Sequence, residues 1–437
     1  MTLQKRRRFF YALVAVFFVL GGIFTLYAGG WRFDLATFRL RKVGAIYVRT
    51  FPKEAYLLLD DVPMRNTSGF FQNGTFLNGL FPRNYMLEIR ADGYAPWHEH
   101  ISVEPALVSE EDAVLVPLFP ATIASGTVKN FWLFESDVVI EDARGNLTIA
   151  DRTIGTGDVL GATEDFETVL TRDGSRGIYA WNDIPSRKST NISQMLARAG
   201  VAREDASIVV DKNDKQHLLI LQPKKLSVLD TATGIATAIR TTTKNTLVNA
   251  AASPFLFAWT EFNPTTNTST LVMYDKFSET RRPASVELPE KNIELRWIQN
   301  NDLAVLQANG ELFIYNPSKN NLTKLADDVE RFAFTKNGSV LAALEHTALE
   351  VFFFDGDKDY YRFNLPDMRN AEDVLWYADK EYLFVVYPHE TRFLDLHDGS
   401  LENFTIVAKT NRVQYDAENN WFYFLDDEGV KRLDFTR

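Results

Sequence analysis

NRVQYDAENNWFYFLDDEGVKRLDFTR, residues 411–437, reads as three short strands at 412–416, 421–425 and 430–435, separated by polar turns. The last strand closes on Arg432-Leu433-Asp434. Endings of the same apolar-apolar-Asp/Asn kind stand upstream at Ile149-Ala150-Asp151, Val228-Leu229-Asp230, Met273-Tyr274-Asp275, Ile314-Tyr315-Asn316, Phe353-Phe354-Asp355 and Phe393-Leu394-Asp395. From Asp230 onward they recur about every 40 residues, and the interval from Asp151 to Asp230 is about twice that, which hides one unmarked repeat. Each repeat carries an aromatic strand core before its ending, as in Phe255-Leu256-Phe257-Ala258-Trp259 and Tyr382-Leu383-Phe384-Val385-Val386. Turn dipeptides such as Asn309-Gly310, Asn337-Gly338 and Asp398-Gly399 separate the strands. Apolar runs with no polar alternation must be buried on both faces. Four-stranded units packed face to face around an axis supply that burial.

The endings count eight repeats, with seven as the alternative. The final repeat has only three strands, and an unpartnered fourth position would leave an exposed sheet edge. A strand at 123–128 supplies it and joins the two ends of the region. One segment departs from the β pattern: Ile192, Met195, Leu196 and Ala199 fall at helical spacing, with Thr190 or Asn191 as cap and Gly200 as stop. This predicts a short helix covering an edge of the second repeat. The region 121–437 resembles β-propellers of the broad WD type and Tol-system type in its period and in its strand-Asp ending. It has no regular Trp-Asp pair, so no subfamily follows from the resemblance.

At the other end, Lys5, Arg6, Arg7 and Arg8 precede an uncharged stretch at 9–31. About 23 residues at roughly 1.5 Å each would cross a hydrocarbon core of about 30 Å. The expectation is a transmembrane helix in contact with lipid, with Phe9, Tyr27 and Trp31 as interfacial aromatic anchors. A cleaved signal peptide is the rival reading, for which Tyr27-Ala28-Gly29 is a poor cleavage match. Arg32, Arg39, Arg41 and Lys42 partly balance the leading basic block. That block, packed directly against the span, places residues 1–8 in the cytoplasm and the bulk of the chain outside the cell membrane. Residues 32–42 read as a juxtamembrane connector.

Between connector and repeats, GAIYVRTFPKEAYLLLD (44–60) and NGLFPRNYMLEIRADGYAPWHEHISV (78–103) read as a small strand-rich domain over 43–120. The stretch resembles a PEGA domain, a small β-sandwich of bacterial and archaeal envelope and signalling proteins. The matching positions are Gly44, Pro52, Ala55, Asp60, Pro82, Tyr85, Gly93, Tyr94 and Trp97. It departs from the family pattern at Asp61 and Arg83, where turn glycines are usual. The resemblance implies a non-catalytic module. The whole chain is therefore expected to be all-β after its single N-terminal helix.

The formal charge of −11 and pI of about 5.2 argue against nucleic acid as a partner. The chain has no cysteine, which excludes disulfides, thiolate nucleophiles and Cys-ligated metals. Asp355, Asp357 and Asp359 have the spacing with which a calcium loop begins. Tyr360 replaces the glycine such a loop requires, and a solvated turn is the better reading. His98 and His100 would share a face of one strand without a nameable third metal ligand. His217, His346, His389 and His397 sit in no metalloprotease or triad signature. Asp426-Asp427-Glu428 reads as a solvated turn. Asn-x-Ser/Thr sequons begin at Asn66, Asn73, Asn146, Asn191, Asn267, Asn321, Asn337 and Asn403, a number that turn-rich composition generates by itself.

With no nucleophile elbow, phosphate loop or dinucleotide fingerprint, the expectation is a non-enzymatic binding or scaffold protein without a cofactor. Such a chain would recognise an envelope protein or glycan through its repeat domain. The alternative is an extracytoplasmic hydrolase that assembles carboxylates around a central channel from distant repeats. A signalling role is the least favoured, since only eight residues precede the apolar stretch.

Overall fold

The computed structural model describes the 437-residue chain apart from residues 1–2, 36, 69–71, 135–136, 150–151, 164–166, 175–176, 187, 201–205, 212, 290, 299–301, 336–337, 355–359, 365–370, 379–380, 397–402 and 436–437. It is mostly β and divides into two compact units. One holds Met1–Pro120 with Glu402–Val407 and Leu433–Arg437; the other holds Ala121–Leu401 with Ala408–Arg432.

The first unit opens with helix α1, Leu3–Ala28. No proline or charge interrupts it after Arg8, and large apolar side chains such as Phe17, Phe18 and Phe24 stand exposed along it. Its stretch Arg6–Ala28 is long and apolar enough to cross a membrane. The helix ends earlier than the sequence expectation. Gly30 turns the chain with φ +79°, and Trp31 opens a strand instead of closing the helix. Strand β1, Trp31–Asp34, pairs antiparallel with β2, Arg39–Lys42, so the expected connector is a hairpin.

Two small sheets follow and share one core. In the first, Gly44–Phe51 is central, antiparallel to Thr75–Leu80 and parallel to Val108–Val114. The second runs Val62–Met64, Tyr56–Leu59, Asn84–Arg90, Trp97–Ser102. Alternate residues point inward, and Ile46, Val48, Leu57, Leu87, Ile89 and Trp97 pack between the sheets. The turn that carries Asp61 is met by Arg83 through Asp60. Asp60 and Asp61 take the hairpin turn with φ of 50° and 63°, a conformation that Asp tolerates better than most residues. Arg83 brings its guanidinium 2.6 Å from Asp60 Oδ2 and lies over the Tyr85 ring at 4.1 Å.

Beyond residue 120 the chain is built from four-stranded antiparallel meanders. Sheets I to VII span 128–156, 158–191, 207–241, 246–288, 293–326, 329–363 and 373–408, each with strands in chain order. Sheet VIII combines Val413–Asp416, Trp421–Asp426 and Gly429–Asp434 with Ala121–Ser125 from the start of the region. The joining strand pairs Ala121 with Arg432 and Ser125 with Gly429, starting two residues earlier than expected. A Cβ on Gly429 would meet the Ala124 carbonyl oxygen at 2.0 Å, so only glycine admits this approach.

First strands of neighbouring sheets lie against each other. Asp158–Ala162 touches Ser207–Val210, which touches Thr246–Ala252, which touches Ile293–Trp297; Val329–Phe334 touches Asp373–Trp376, which touches Val413–Asp416. Arg296 carries the series from sheet V to VI by donating from Nη1 to the Phe332 carbonyl at 3.1 Å. Val413–Asp416 lies against Val128–Phe134, which closes a propeller-like ring. Gln414 fastens that junction: its Nε2 donates to the Phe131 carbonyl at 2.9 Å, and its Oε1 accepts from Leu133 N–H at 2.8 Å. The apolar clusters lie between sheets. Leu303 and Val305 pack toward sheet IV, whereas Ala304 and Leu306 of the same strand pack toward sheet VI. This two-sided burial is the reason the strands read as unbroken apolar runs.

Of the repeating Asp/Asn residues, Asp230, Asp275, Asn316, Asp395 and Asp434 end the third strand of their sheet, while Asp151 and Asp355 lie outside the described residues, and several tie the following turn. Asp230 Oδ1 accepts from Ala232 N–H at 2.8 Å, and Asp275 Oδ1 accepts from Phe277 and Ser278 N–H at 2.9 Å each. The unmarked repeat is sheet II, whose third strand, Ile178–Asp183, ends on an aspartate after Trp181-Asn182. Helix α2, Ser193–Arg198, follows that sheet. Its N-cap residue is Ile192, one past the expected Asn191, and Asn191 Oδ1 accepts from Ser193 N–H at 3.0 Å to cap the first turn; Gly200 follows the helix at φ +81°. Ile192, Leu196 and Ala199 pack with Leu170 and Trp181 of sheet II and Leu218 and Ile220 of sheet III. The helix therefore fills a wedge between two sheets.

Candidate functional site

The ring strands that gave the sequence its repeat also build a cavity of about 1490 Å³. Its wall comes from the first strands of sheets III to VI, at Val209, Ala250, Glu294 and Glu330, and from Glu372 just before sheet VII. The tight turn at Asn309-Gly310 adds to the rim. A Cβ on Gly310, at φ +87°, would meet the Asp328 Cα at 2.8 Å, so glycine lets the two segments close up. Five carboxylates, Glu294, Asp328, Glu330, Glu345 and Glu372, line the cavity against two guanidinium groups, Arg331 and Arg362. His346 holds Glu330 Oε1 at 3.2 Å from its Nδ1.

Two of the lining residues, Glu345 and Arg362, form a charged cluster on sheet VI with Glu350, which is not itself part of the lining. Strand pairing sets it: Glu350 stands opposite Arg362, and Glu345 ends the strand that turns back through His346 and Thr347. Arg362 donates from Nη1 to Glu350 Oε1 at 2.6 Å and from Nη2 to Glu345 Oε2 at 2.8 Å. The carboxylates are 8% and 5% exposed. Burial, with the charge of Glu350 and a hydrogen bond to it next, pushes the Glu345 carboxyl up to about 7, while Arg362 pulls it the other way. Glu345 therefore keeps its proton toward neutral pH. A buried acid whose proton affinity is raised in this way is a recurring feature of functional clefts.

This cluster yields a pH prediction. The folded chain holds the Glu345 proton up to about pH 7, whereas the unfolded chain loses it near 4.5. The folded state thus binds more proton across that window, and stability is fully present below it and falls as pH rises through it. Replacing Glu345 with Gln keeps a donor toward Glu350 and removes the titration. The denaturation midpoint of wild type is expected to drop between pH 5 and 8 more steeply than that of Glu345→Gln; parallel profiles would refute the assignment.

The sequence-named positions lie elsewhere. Asp355, Asp357 and Asp359 fall outside the described residues, and so does His397. Among the described residues no three His, Cys, Asp or Glu side chains are grouped to hold a metal ion. His98 and His100 do share the exposed face of Trp97–Ser102, while Glu99 between them is buried and accepts from Asn403 Nδ2 at 2.9 Å. Asp426 ties its turn by accepting from Glu428 N–H at 2.9 Å and pairs with Lys431. Asn66, Asn146 and Asn403 spend their side-chain amides inside the fold, which leaves them poor glycan acceptors. Of the residues expected to act as membrane anchors, Phe9 and Tyr27 lie on α1 and are 61% and 59% exposed, and Trp31 lies on β1. The cavity acids were not singled out in sequence. Their signal was an acid inside an apolar run, as in Leu349-Glu350-Val351 and Ala342-Ala343-Leu344-Glu345.

No family model matches the chain, and no curated protein matches it. Solved structures do. An oligogalacturonate lyase from Vibrio parahaemolyticus is 10% identical, with a TM-score of 0.44 over 71% of this chain and 98% of its own. A Cps50 (Swd1) β-propeller domain from Myceliophteria thermophila is 14% identical, with a TM-score of 0.41 over 65% of this chain and 99% of its own. Hsv2 from Kluyveromyces lactis is 11% identical, with a TM-score of 0.42 over 71% and 98%. These are similarities of a distant kind, to β-propellers among others.

Proposed function

We propose that this chain is a single-pass, membrane-anchored binding or scaffold protein of the cell envelope. In this reading α1 crosses the membrane with residues 1–8 inside, the two-sheet domain is a PEGA-like spacer, and an eight-bladed β-propeller faces outward. The observation that carries it is the cavity, whose wall is shared by several sheets and holds five carboxylates. A surface assembled from several blades suits a macromolecular partner, an envelope protein or glycan, that touches many turns at once. The excess of carboxylates favours a partner that brings positive charge, such as a basic protein segment.

Photo-crosslinking in membranes tests this. A crosslinking residue at Thr347, on the cavity rim, is expected to capture a specific partner, and Glu330→Lys with Glu372→Lys should abolish that capture. Equal capture from Phe277, an exposed residue outside the cavity lining, would overturn the assignment.

One observation favours a second reading. Glu345, protonated near neutral pH beside Glu350, has the form of an acid with an adjacent carboxylate, as a hydrolase would need. Turnover of a glycan panel that disappears in both Glu345→Gln and Glu350→Gln would select this reading over the scaffold.

A further inference from the structure

The hairpin that follows α1 is built inside out. Cross-strand partners share a face, so Trp31 with Lys42 and Phe33 with Leu40 form one side, and Arg32 with Arg41 and Asp34 with Arg39 form the other. In a hairpin that merely covers a soluble domain, the apolar side turns inward. Here the polar side turns inward. Asp34 is 7% exposed, accepts from Thr37 Oγ1 at 2.7 Å, and lies 3.3 Å from Arg41 Nη1. Arg41 Nη2 then donates to the Pro82 carbonyl at 3.1 Å, which docks the hairpin on the two-sheet domain. The apolar side stands open, with Phe33 52% and Leu40 51% exposed, and the turn adds Leu35 at 75% and Phe38 at 77%.

The hairpin is also tied to the helix end. Arg32 donates from Nη1 to the Tyr27 carbonyl at 2.9 Å and lies 3.4 Å over the Tyr27 ring. Only Gly29 and Gly30 separate helix from strand. Whatever surrounds the last turn of α1 therefore also meets the hairpin. Four basic residues, Arg32, Arg39, Arg41 and Lys42, stand against Asp34 alone in this segment, in a chain whose net charge is −11.

We infer that the hairpin 31–42 is a second membrane contact: its apolar side and turn enter the headgroup and upper acyl layer beside the helix, and its basic residues engage anionic lipid. The inference rests on the membrane-spanning reading of α1. Aromatic and aliphatic groups at the boundary, backed by guanidinium and ammonium groups at headgroup depth, are the composition of interfacial segments. The contact would fix the orientation of the two-sheet domain on the bilayer.

The absence of cysteine makes the test direct. Full-length Leu35→Cys, Phe17→Cys and Phe277→Cys proteins, each labelled with an environment-sensitive fluorophore, are reconstituted in phosphatidylcholine vesicles with or without phosphatidylglycerol. Nitroxides are carried at shallow or deep lipid positions. Deep quenching at Phe17 reports the span, and Phe277 is the water reference. The expected result at Leu35 is shallow quenching roughly threefold or more above the Phe277 value, strengthened by phosphatidylglycerol. Quenching at Phe17 with Leu35 no different from Phe277 would overturn the inference while the span stands. An unquenched label at Leu35→Cys, together with disulfide-linked dimers when the unlabelled Leu35→Cys protein is oxidised with copper-phenanthroline, would overturn the inference and assign the apolar face to a second copy. Equal quenching in both lipid mixtures would remove the anionic-lipid part, and an unquenched Phe17 would remove the span and the inference together.

Discussion

Removal of residues 421–437 is expected to abolish the cooperative unfolding of the ring. The deletion takes away Trp421–Asp426 and Gly429–Asp434, so Ala121–Ser125 loses its partner and Val413–Asp416 is left alone. It also strips one side from the cluster of Phe131 with Tyr423, Leu425 and Val430, three of the four coming from the deleted segment. A ring gains its stability from every sheet having a neighbour on each face; opening it bares the face of sheet I and several backbone edges together. The expected product is aggregated or molten, without a sharp thermal transition. A monomeric truncation with a native-like transition would show that the repeats stand as an open solenoid, in which each unit depends only on its neighbours.

Trp259→Ala is expected to cost about 3–5 kcal/mol, the range for emptying a large aromatic site in a packed core. Trp259 is fully buried where Leu219, Leu221 and Leu226 of sheet III meet Leu247, Phe257 and Val272 of sheet IV. Its Nε1 donates to Glu261 Oε1 at 3.2 Å, and the other Glu261 oxygen is held by Arg240 at 2.6 Å. Truncation thus leaves a hole and weakens the hold on a carboxylate that is 5% exposed. Trp259→Phe keeps most of the apolar contact and loses only the hydrogen bond, so roughly 1–2 kcal/mol is expected. Phe277→Ala, at a residue 78% exposed, serves as the control and should stay within about 0.5 kcal/mol. Denaturant midpoints at constant slope measure all three. A Trp259→Ala protein with the midpoint of the Phe277 control would show that the site relaxes around the loss.

Much of the ring was legible because its signals are local. The Asp or Asn that ends several of the third strands is read from sequence, and the structure gives its work at Asp230, Asp275 and Asn316: a carboxylate or amide oxygen that accepts from the next turn's N–H groups. The closing strand at the start of the region was legible by elimination, since the last repeat was one strand short. The hairpin at 31–42 was not legible. Its cross-strand pairs are as basic as they are apolar, and only the inward turn of Asp34 and Arg41 shows which side faces out. The capping side chain of α2 was legible, since Asn191 Oδ1 accepts from Ser193 N–H at 3.0 Å, whereas the packing of Ile192 between two sheets was not.

The cavity acids mark the boundary between the two kinds of information. By itself the sequence determined an all-β chain with one apolar N-terminal helix, a repeat near 40 residues and a last repeat completed from the front. Those features follow from hydrophobic period, turn residues and span length, each set within one strand or one helix. Only the tertiary structure decided which carboxylates share a cavity. Glu294, Glu330 and Glu372 come from three different sheets, and Glu345 meets Glu350 and Arg362 through hairpin register. Their common location depends on how each sheet stacks on the next. That stacking is fixed by apolar contacts distributed over the whole ring, and no short stretch of sequence records it.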